Sequence, residues 1–475
     1  MESPTGWRRC LQLTVEPSFL LVAYATSVFE APFHDLLLRK LCQDTPDIPR
    51  PWCDSLPDHP TAEEVVHPKA ATLLMISSLI ESVVPAMVSC LAGAWSDRAR
   101  SRKPLIVLPL TGYILKFALL AVFMSIPTLP VPYFLFATVP LAITGGWTTF
   151  FGAVTSVVGD ETGEDGNVRT FRLGLLQVFF IIGLILGSLT SSITLHALGH
   201  IGVFLLASTV CFVALLIALF TVSETYGSSS DDGGNPDTCL IKDVFQTMIK
   251  YRSNGRKVIL ILSVLSLGSS IIAYNGESNL YYMYGRKEFK WTVFDFTLYR
   301  SISYGLQMIG TLFAVSVLSL RMKIEDAPLA ILSYLGATLG SILRAFASTT
   351  WMMYVGSVIT MFHGAASPMV RSIMSKCVHQ NELGKVFMVT TSLEALVPLA
   401  GQPLYTYMFS NTIVSFPGAF FMFSALVFFM DLIFNCLNVS HSSQEKIPRL
   451  LLQVKKIHLH RLHSNNDDNL TSIED

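Results

Sequence analysis

The sequence predicts an all-α membrane protein of twelve transmembrane helices arranged as two bundles of six. Three observations carry that expectation. Of 475 residues, 51% are hydrophobic and only 14% charged, against about 25% charged in an ordinary soluble domain. The apolar runs fill most of the chain, and each reaches the roughly 20 residues that a helix needs to cross a hydrocarbon core. The polar stretches, residues 39–68, 222–256 and the tail from Asn438, are shorter than the ~50 residues of a small domain. No soluble catalytic domain fits, so the chain does not read as an enzyme. With 33 basic and 34 acidic residues, it has no electrostatic footprint for nucleic acid.

Apolar runs, punctuated by turns and charges, place the spans at 17–38, 69–95, 104–126, 131–159, 171–196, 200–222, 257–284, 294–320, 328–346, 350–373, 385–408 and 415–437. The first run follows Glu16 and Pro17, exceeds 20 residues and has no small-residue cleavage site. It reads as a retained helix rather than a signal peptide. Between spans six and seven lies the hydrophilic string SETYGSSSDDGGNPDT, a flexible linker. The chain therefore divides into an N-terminal segment 1–16, a bundle 17–222, a linker 223–256, a second bundle 257–437 and a tail 438–475. Placing both termini in the cytosol puts 22 of the Lys and Arg residues on the inner side and seven on the outer, as the positive-inside rule requires. Cys42 and Cys53 share the first outer loop, where thiols can oxidise. A bridge between them is expected, with two free loop thiols as the alternative.

Two six-span halves joined by a cytosolic linker resemble the plan of major facilitator transporters, whose bundles rock about a site near the membrane midplane. The loop between spans two and three reads GAWSDRARSRKPL. It is similar to the superfamily's G-x-x-x-D-R-x-G-R-R-K loop at Gly93, Asp97, Arg98, Arg102 and Lys103, while Arg100 and Ser101 depart from it. Such a loop works as a latch, an acid at one helix end engaging bases on its neighbours until the halves rock. Asp160, Arg169 and Arg172, before span five, belong to the same gating set.

Several strings in order resemble the proton-coupled folate transporter family. They are VEP (Val15–Pro17), LAGAWSD (Leu91–Asp97), GD and RTFR (Gly159–Asp160 and Arg169–Arg172), RAFAST (Arg344–Thr349) and SPMVRSIMSK (Ser367–Lys376). The resemblance implies proton-driven symport of organic anions such as folates, with larger amphipathic or muropeptide-like molecules as cargo in siblings, and no cofactor beyond the proton gradient. It implies a coupling glutamate in span five where this chain has Gln177, a span-seven histidine where it has Tyr274, a span-four aspartate where it has Gly146, and a span-ten arginine kept as Arg371.

A charge at mid-bilayer costs about 3 kcal/mol or more, so each needs a partner, a wet cavity or a task. Nine candidates inside the expected spans are Glu30, Glu81, Lys116, Glu277, Arg300, Arg344, Arg371, Glu394 and Asp431. Counting helical rise puts Glu30, Glu277 and Arg300 in the outer half, where two acids near one guanidinium can share a proton. Glu277 ranks first as coupling acid, then Glu30, with Glu394 a further candidate; static ion pairs are the alternative. Arg371 suits bidentate capture of a carboxylate, or else anchors itself to Glu394. Glu81 and Lys116 read as a structural pair, Arg344 as reaching to the outer surface and Asp431 to the inner. Arg300, Tyr274 and Gln177 complete the substrate candidates, and Tyr284 and Trp291 read as an interfacial belt.

The expected protein is a multi-pass carrier in the plasma membrane, its partners the lipid bilayer, protons and a small organic solute. A lysosomal exporter or uniporter of degradation products such as muropeptides, and a non-transporting receptor or scaffold, are the rivals.

Overall fold

A computed structural model describes residues 14–46, 48–53, 56, 59–99, 101–162, 166–222, 256–378, 386, 390, 394 and 396–440. The N-terminal segment before Thr14, the linker 223–255 and the tail beyond Ser440 lie outside the described residues.

Helix α1 (Glu16–Asp44) carries Pro17 in its first turn, where the fixed φ and missing N–H of proline are tolerated. It outlasts the expected span because the charges of its last turns find partners. Arg39 pairs with Asp35 at 2.8 Å, and Lys40 donates to the Pro127 carbonyl at 3.2 Å. After a 3-10 turn (Arg50–Cys53) come α2 (Pro60–Ala99) and α3 (Lys103–Met124). The fourth span is segmented into a 3-10 stretch Val131–Thr138, α4 (Val139–Ile143) and α5 (Gly146–Thr162), with positive φ at Gly145 and Gly146 where it turns.

Spans five and six form one element, α6 (Gly166–Thr221), folded back at Gly199, whose φ of 66° is open to glycine. Both arms pack on α1. Phe180 of the first arm lies 5.3 Å from Phe19, and the Ala214 carbonyl of the second accepts from Ser18 at 3.0 Å. Gly183 and Gly187 make the first arm's approach possible, since a Cβ at either would meet the backbone carbonyl of Leu20 or Tyr24.

The second half comprises α7 (Arg256–Ser278), a short α8 (Tyr281–Phe289), α9 (Val293–Phe313) running into a π-helical stretch Ala314–Arg321, and α10 (Asp326–Ala345). Then follow α11 (Thr350–Ile359), a 3-10 turn Met361–Ala365 and α12 (Ala366–Cys377), which together make span ten. Helices α13 (Pro398–Thr412) and α14 (Ala419–Ser440) close the fold. Eight described helices are long and apolar enough to cross a membrane, the folded α6 among them. Charged α1, broken span ten and partly described span eleven make up the rest of the twelve.

Cys42 and Cys53 are joined in a disulfide that ties the end of α1 to the following turn. The face carrying the starts of α1 and α7 is called the first face below, and the one carrying Asp44 and Tyr284 the opposite face.

Candidate functional site

Between the halves lies a cavity of about 630 Å³, lined by α1, α2, α3, α5, α6, α7 and α9. It gathers four of the sequence-selected residues, Glu30, Arg300, Tyr274 and Gln177. Arg300 Nη2 lies 3.3 Å from Glu30 Oε1, an ion pair joining α9 of one half to α1 of the other. Its guanidinium stands 4.9 Å over the Tyr304 ring and donates to Ser278 at 3.4 Å. Across the cavity Lys116 Nζ meets Glu81 Oε1 at 2.6 Å and lies 5.2 Å over the Phe29 ring. This is the expected pair, and it faces the cavity. Trp147, stacked on Phe151 at 5.7 Å and packed with Phe180 at 5.1 Å, gives one wall a broad aromatic surface. The cavity thus offers opposite charges, hydroxyls and flat rings, the mixture that fits an amphipathic solute.

Glu277 does not join the Glu30–Arg300 pair directly. It lines a smaller adjoining chamber of about 90 Å³ within the second half, together with Arg300, Arg344 and His363. It is 6% exposed; Oε2 accepts from the Tyr281 hydroxyl at 3.1 Å, and Oε1 has no hydrogen-bond partner among the described residues.

Arg344 is a correction. It does not reach the outer surface but turns into this chamber, where Nη2 donates to Thr360 at 2.8 Å and to Ser357 at 3.4 Å. The Ser357 hydroxyl of α11 and the Thr360 hydroxyl just past its end serve Nη2, while Nε has no hydrogen-bond partner among the described residues. Asp431 is also corrected. It is 0% exposed and receives Ser269 and Ser270 hydroxyls at 2.5 and 3.0 Å instead of extending to the surface. Tyr284 and Trp291, expected at the interface, are buried, donating to the Arg344 carbonyl and to Thr350, each at 3.0 Å.

Arg371 and Glu394 lie apart from the central cavity, the guanidinium 2.5 and 2.6 Å from the two carboxylate oxygens. Both contacts come from Nη2, so Arg371 and Glu394 stand as an ion pair through one nitrogen of the guanidinium. At the first face the side chains of Gly93, Asp97, Arg98 and Arg169 fall outside the described residues. Arg102 meets Asp160 at 3.4 Å, and Lys103 donates to the Leu219 carbonyl at 2.6 Å. Arg172 is held by Glu16 at 2.7 Å and by Glu161 at 2.5 Å. These two acids were not selected from the sequence, although Glu16 stands in the VEP string.

A second unselected cluster closes the opposite face. Asp35 of α1 receives Arg286 at 2.5 Å and the Tyr282 hydroxyl at 3.2 Å, both from α8, and His200 stands 3.5 Å away. Burial works against the charge of Arg286, while Tyr282 and Asp35 hold its guanidinium protonated above the usual range. The signal was an acid three residues before the expected end of span one. Nearby, Asn279 donates to Ser78 at 2.9 Å and Ser188 to the Thr297 carbonyl at 2.8 Å, further links between the halves.

The family model of the Major Facilitator Superfamily matches residues 62–402. The chain is 28% identical over 387 residues to the Probable peptidoglycan muropeptide transporter SLC46 of Drosophila melanogaster, covering 78% of this chain and 73% of the relative. It is 26% identical over 368 residues to the mouse (Mus musculus) Lysosomal proton-coupled steroid conjugate and bile acid symporter SLC46A3, with 75% and 78% covered. To the Proton-coupled folate transporter of Rattus norvegicus it is 25% identical, with 73% and 74% covered. Among solved structures, a POT family transporter in complex with a thioalcohol conjugated peptide superposes with TM-score 0.61 at 16% identity over 90% of this chain and 96% of that one. The xylose transporter XylE from E. coli, in its inward open conformation, does so with TM-score 0.62 at 13% identity over 89% and 94%.

Proposed function

Because the chain belongs to the Major Facilitator Superfamily, we propose that it carries an amphipathic organic anion across a membrane by alternating access, with protons as the driving ion. The observation that carries this reading is the 630 Å³ cavity between the halves, where Arg300 faces Glu30 beside an aromatic wall. The guanidinium would trade Glu30 for a cargo carboxylate when the acid is protonated, which couples the two ions through one partner. Relatives named for muropeptide, steroid conjugate, bile acid and folate support cargo of this size and polarity. The positive-inside bias supports cytosolic termini and a first face turned to the cytosol. On that orientation the Asp35–Arg286 cluster closes the outer side and the cavity opens inward. The bundles then correspond to residues 17–222 and 257–437, and the plasma membrane is the proposed site, the lysosomal membrane the alternative.

A uniporter is the second reading, favoured by the uncharged Gln177 on the cavity wall. The experiment is uptake of a labelled bile acid, muramyl peptide and folate by cells expressing the chain, at acidic and neutral external pH. Symport predicts uptake that rises with acidity and collapses with a protonophore. Uptake indifferent to both establishes the uniporter, and no movement of any solute overturns transport in favour of a receptor or scaffold.

A further inference from the structure

A buried polar seam runs between α7 and α14, away from the cargo cavity. Along α7, Ser263, Ser266, Ser269, Ser270 and Glu277 follow one another at helical intervals that keep them on one side, and Ser424, Asp431, Asn435 and Asn438 do so along α14. They meet in register. Asn438 donates to Ser263 at 3.3 Å and Asn435 to Ser266 at 3.1 Å, and the Ser269 and Ser270 hydroxyls reach Asp431. Ser263, Ser266, Asp431 and Asn435 are all 0% exposed.

Asp431 has no basic side chain within ion-pair distance among the described residues. The titratable group that its hydroxyl network reaches is Tyr334 of α10, which meets Ser270 at 3.0 Å. Beyond it, His363 rests against Tyr334 at 6.3 Å and against Phe428, one turn from Asp431, at 5.0 Å. An ionised carboxylate here would be an uncompensated charge in apolar surroundings. The hydrogen count points the same way. Ser269 approaches both Asp431 and the Leu265 carbonyl, the latter at 2.6 Å, and Ser270 approaches both Asp431 and Tyr334. Ser269 also approaches the Ser266 carbonyl at 3.3 Å, so the three hydroxyl hydrogens face more acceptors than they can serve singly, and a proton on Asp431 adds a donor to the network.

The seam also has a source and an outlet. His363 lines the same chamber as Glu277, which itself faces Tyr281, Arg300 and Arg344 there. His363 Nε2, Glu277 Oε1, Asn435 Oδ1 and Asn438 Oδ1 are buried without hydrogen-bond partners among the described residues. Seven residues of α7, about 10 Å of rise, separate Glu277 from Ser270. Beyond Asp431 the seam ends near the start of α7.

We propose that Asp431 is a second proton-binding site, loaded from the Glu277 chamber by way of His363 and emptied along Asn435 and Asn438 toward the first face. Glu277 gives up its proton and becomes a carboxylate, the Asp431 carboxylate takes it, and water at the first face receives it. The inference rests on proton coupling as the function of the chain.

The test is infrared difference spectroscopy of the purified full chain in lipid, between acidic and neutral pH, with no cargo present. Two buried carboxylic C=O bands are expected; Asp431→Asn loses one, Glu277→Gln the other. Labelling the wild-type chain with ¹³C-aspartate must shift the Asp431 band alone, a reading that needs no variant. Absence of an aspartate-sensitive band, or its survival in Asp431→Asn, overturns the proposal. So does a wild-type band abolished by sodium in place of potassium, which would make the site one for a metal cation. Uptake indifferent to pH with both bands intact sinks the coupling reading instead.

Discussion

Arg300 illustrates how one side chain ties cargo chemistry to helix packing, since its fork faces Glu30 while its plane covers Tyr304. Lysine keeps the charge but loses the fork and the stacking. A cation–π contact is worth about 0.5–2 kcal/mol, so Arg300→Lys is expected to raise KM for the transported solute roughly tenfold. An unchanged KM would remove Arg300 from cargo binding. Glu277→Gln is expected to abolish accumulation against a gradient while sparing exchange of labelled for unlabelled solute. Normal accumulation would leave the coupling role to Glu30 alone. These residues were legible because a charge inside an apolar run must be explained. Arg344 and Asp431 were misread for a related reason. Counting helical rise gives a residue's height in the membrane, but the direction it faces depends on hydroxyls contributed from outside its own helix, here Thr360 for Arg344 and Ser270 for Asp431.

At the scale of elements, small residues decide how closely helices approach. The GxxxG spacing in α6 was visible in the sequence, but its partner was not, and the structure supplies α1. Gly187→Leu would drive a side chain into the Tyr24 carbonyl and Ser27, and overpacking of this kind costs about 1–3 kcal/mol. The expected outcome is a Tm several degrees lower for the detergent-solubilised protein. Gly174→Ala is the control, because a Cβ there meets nothing within 4 Å; equal losses in both variants would overturn the packing account, since Ala and Leu each favour a helix over glycine. Gly336 and Gly340 play the same part between α10 and span ten, against the Ile359 carbonyl and Thr360. That approach also brings the α11 hydroxyls within reach of Arg344, so packing sets the chamber's electrostatics.

The whole molecule is two bundles held together at one face. Composition and the central linker made the count of twelve and the division into halves legible. The Asp35–Arg286 clasp was hidden because its members are 251 residues apart. Asp35→Asn leaves a buried guanidinium without its carboxylate, a change of about 3–5 kcal/mol for paired charges of this burial, and is expected to favour opening at the opposite face. A Ser77→Cys reporter on the cavity wall, in a chain stripped of its free thiols, should then react several-fold faster with an impermeant thiol reagent applied from that side. An unchanged rate would mean that the links through Asn279 and Ser188 hold the face shut by themselves.

The fold-back at Gly199 has a consequence for how the protein is made. With one glycine joining the two arms of α6, no hydrophilic connector is available to be threaded across the bilayer between them. The arms therefore cross as antiparallel neighbours, and the orientation of either fixes that of the other.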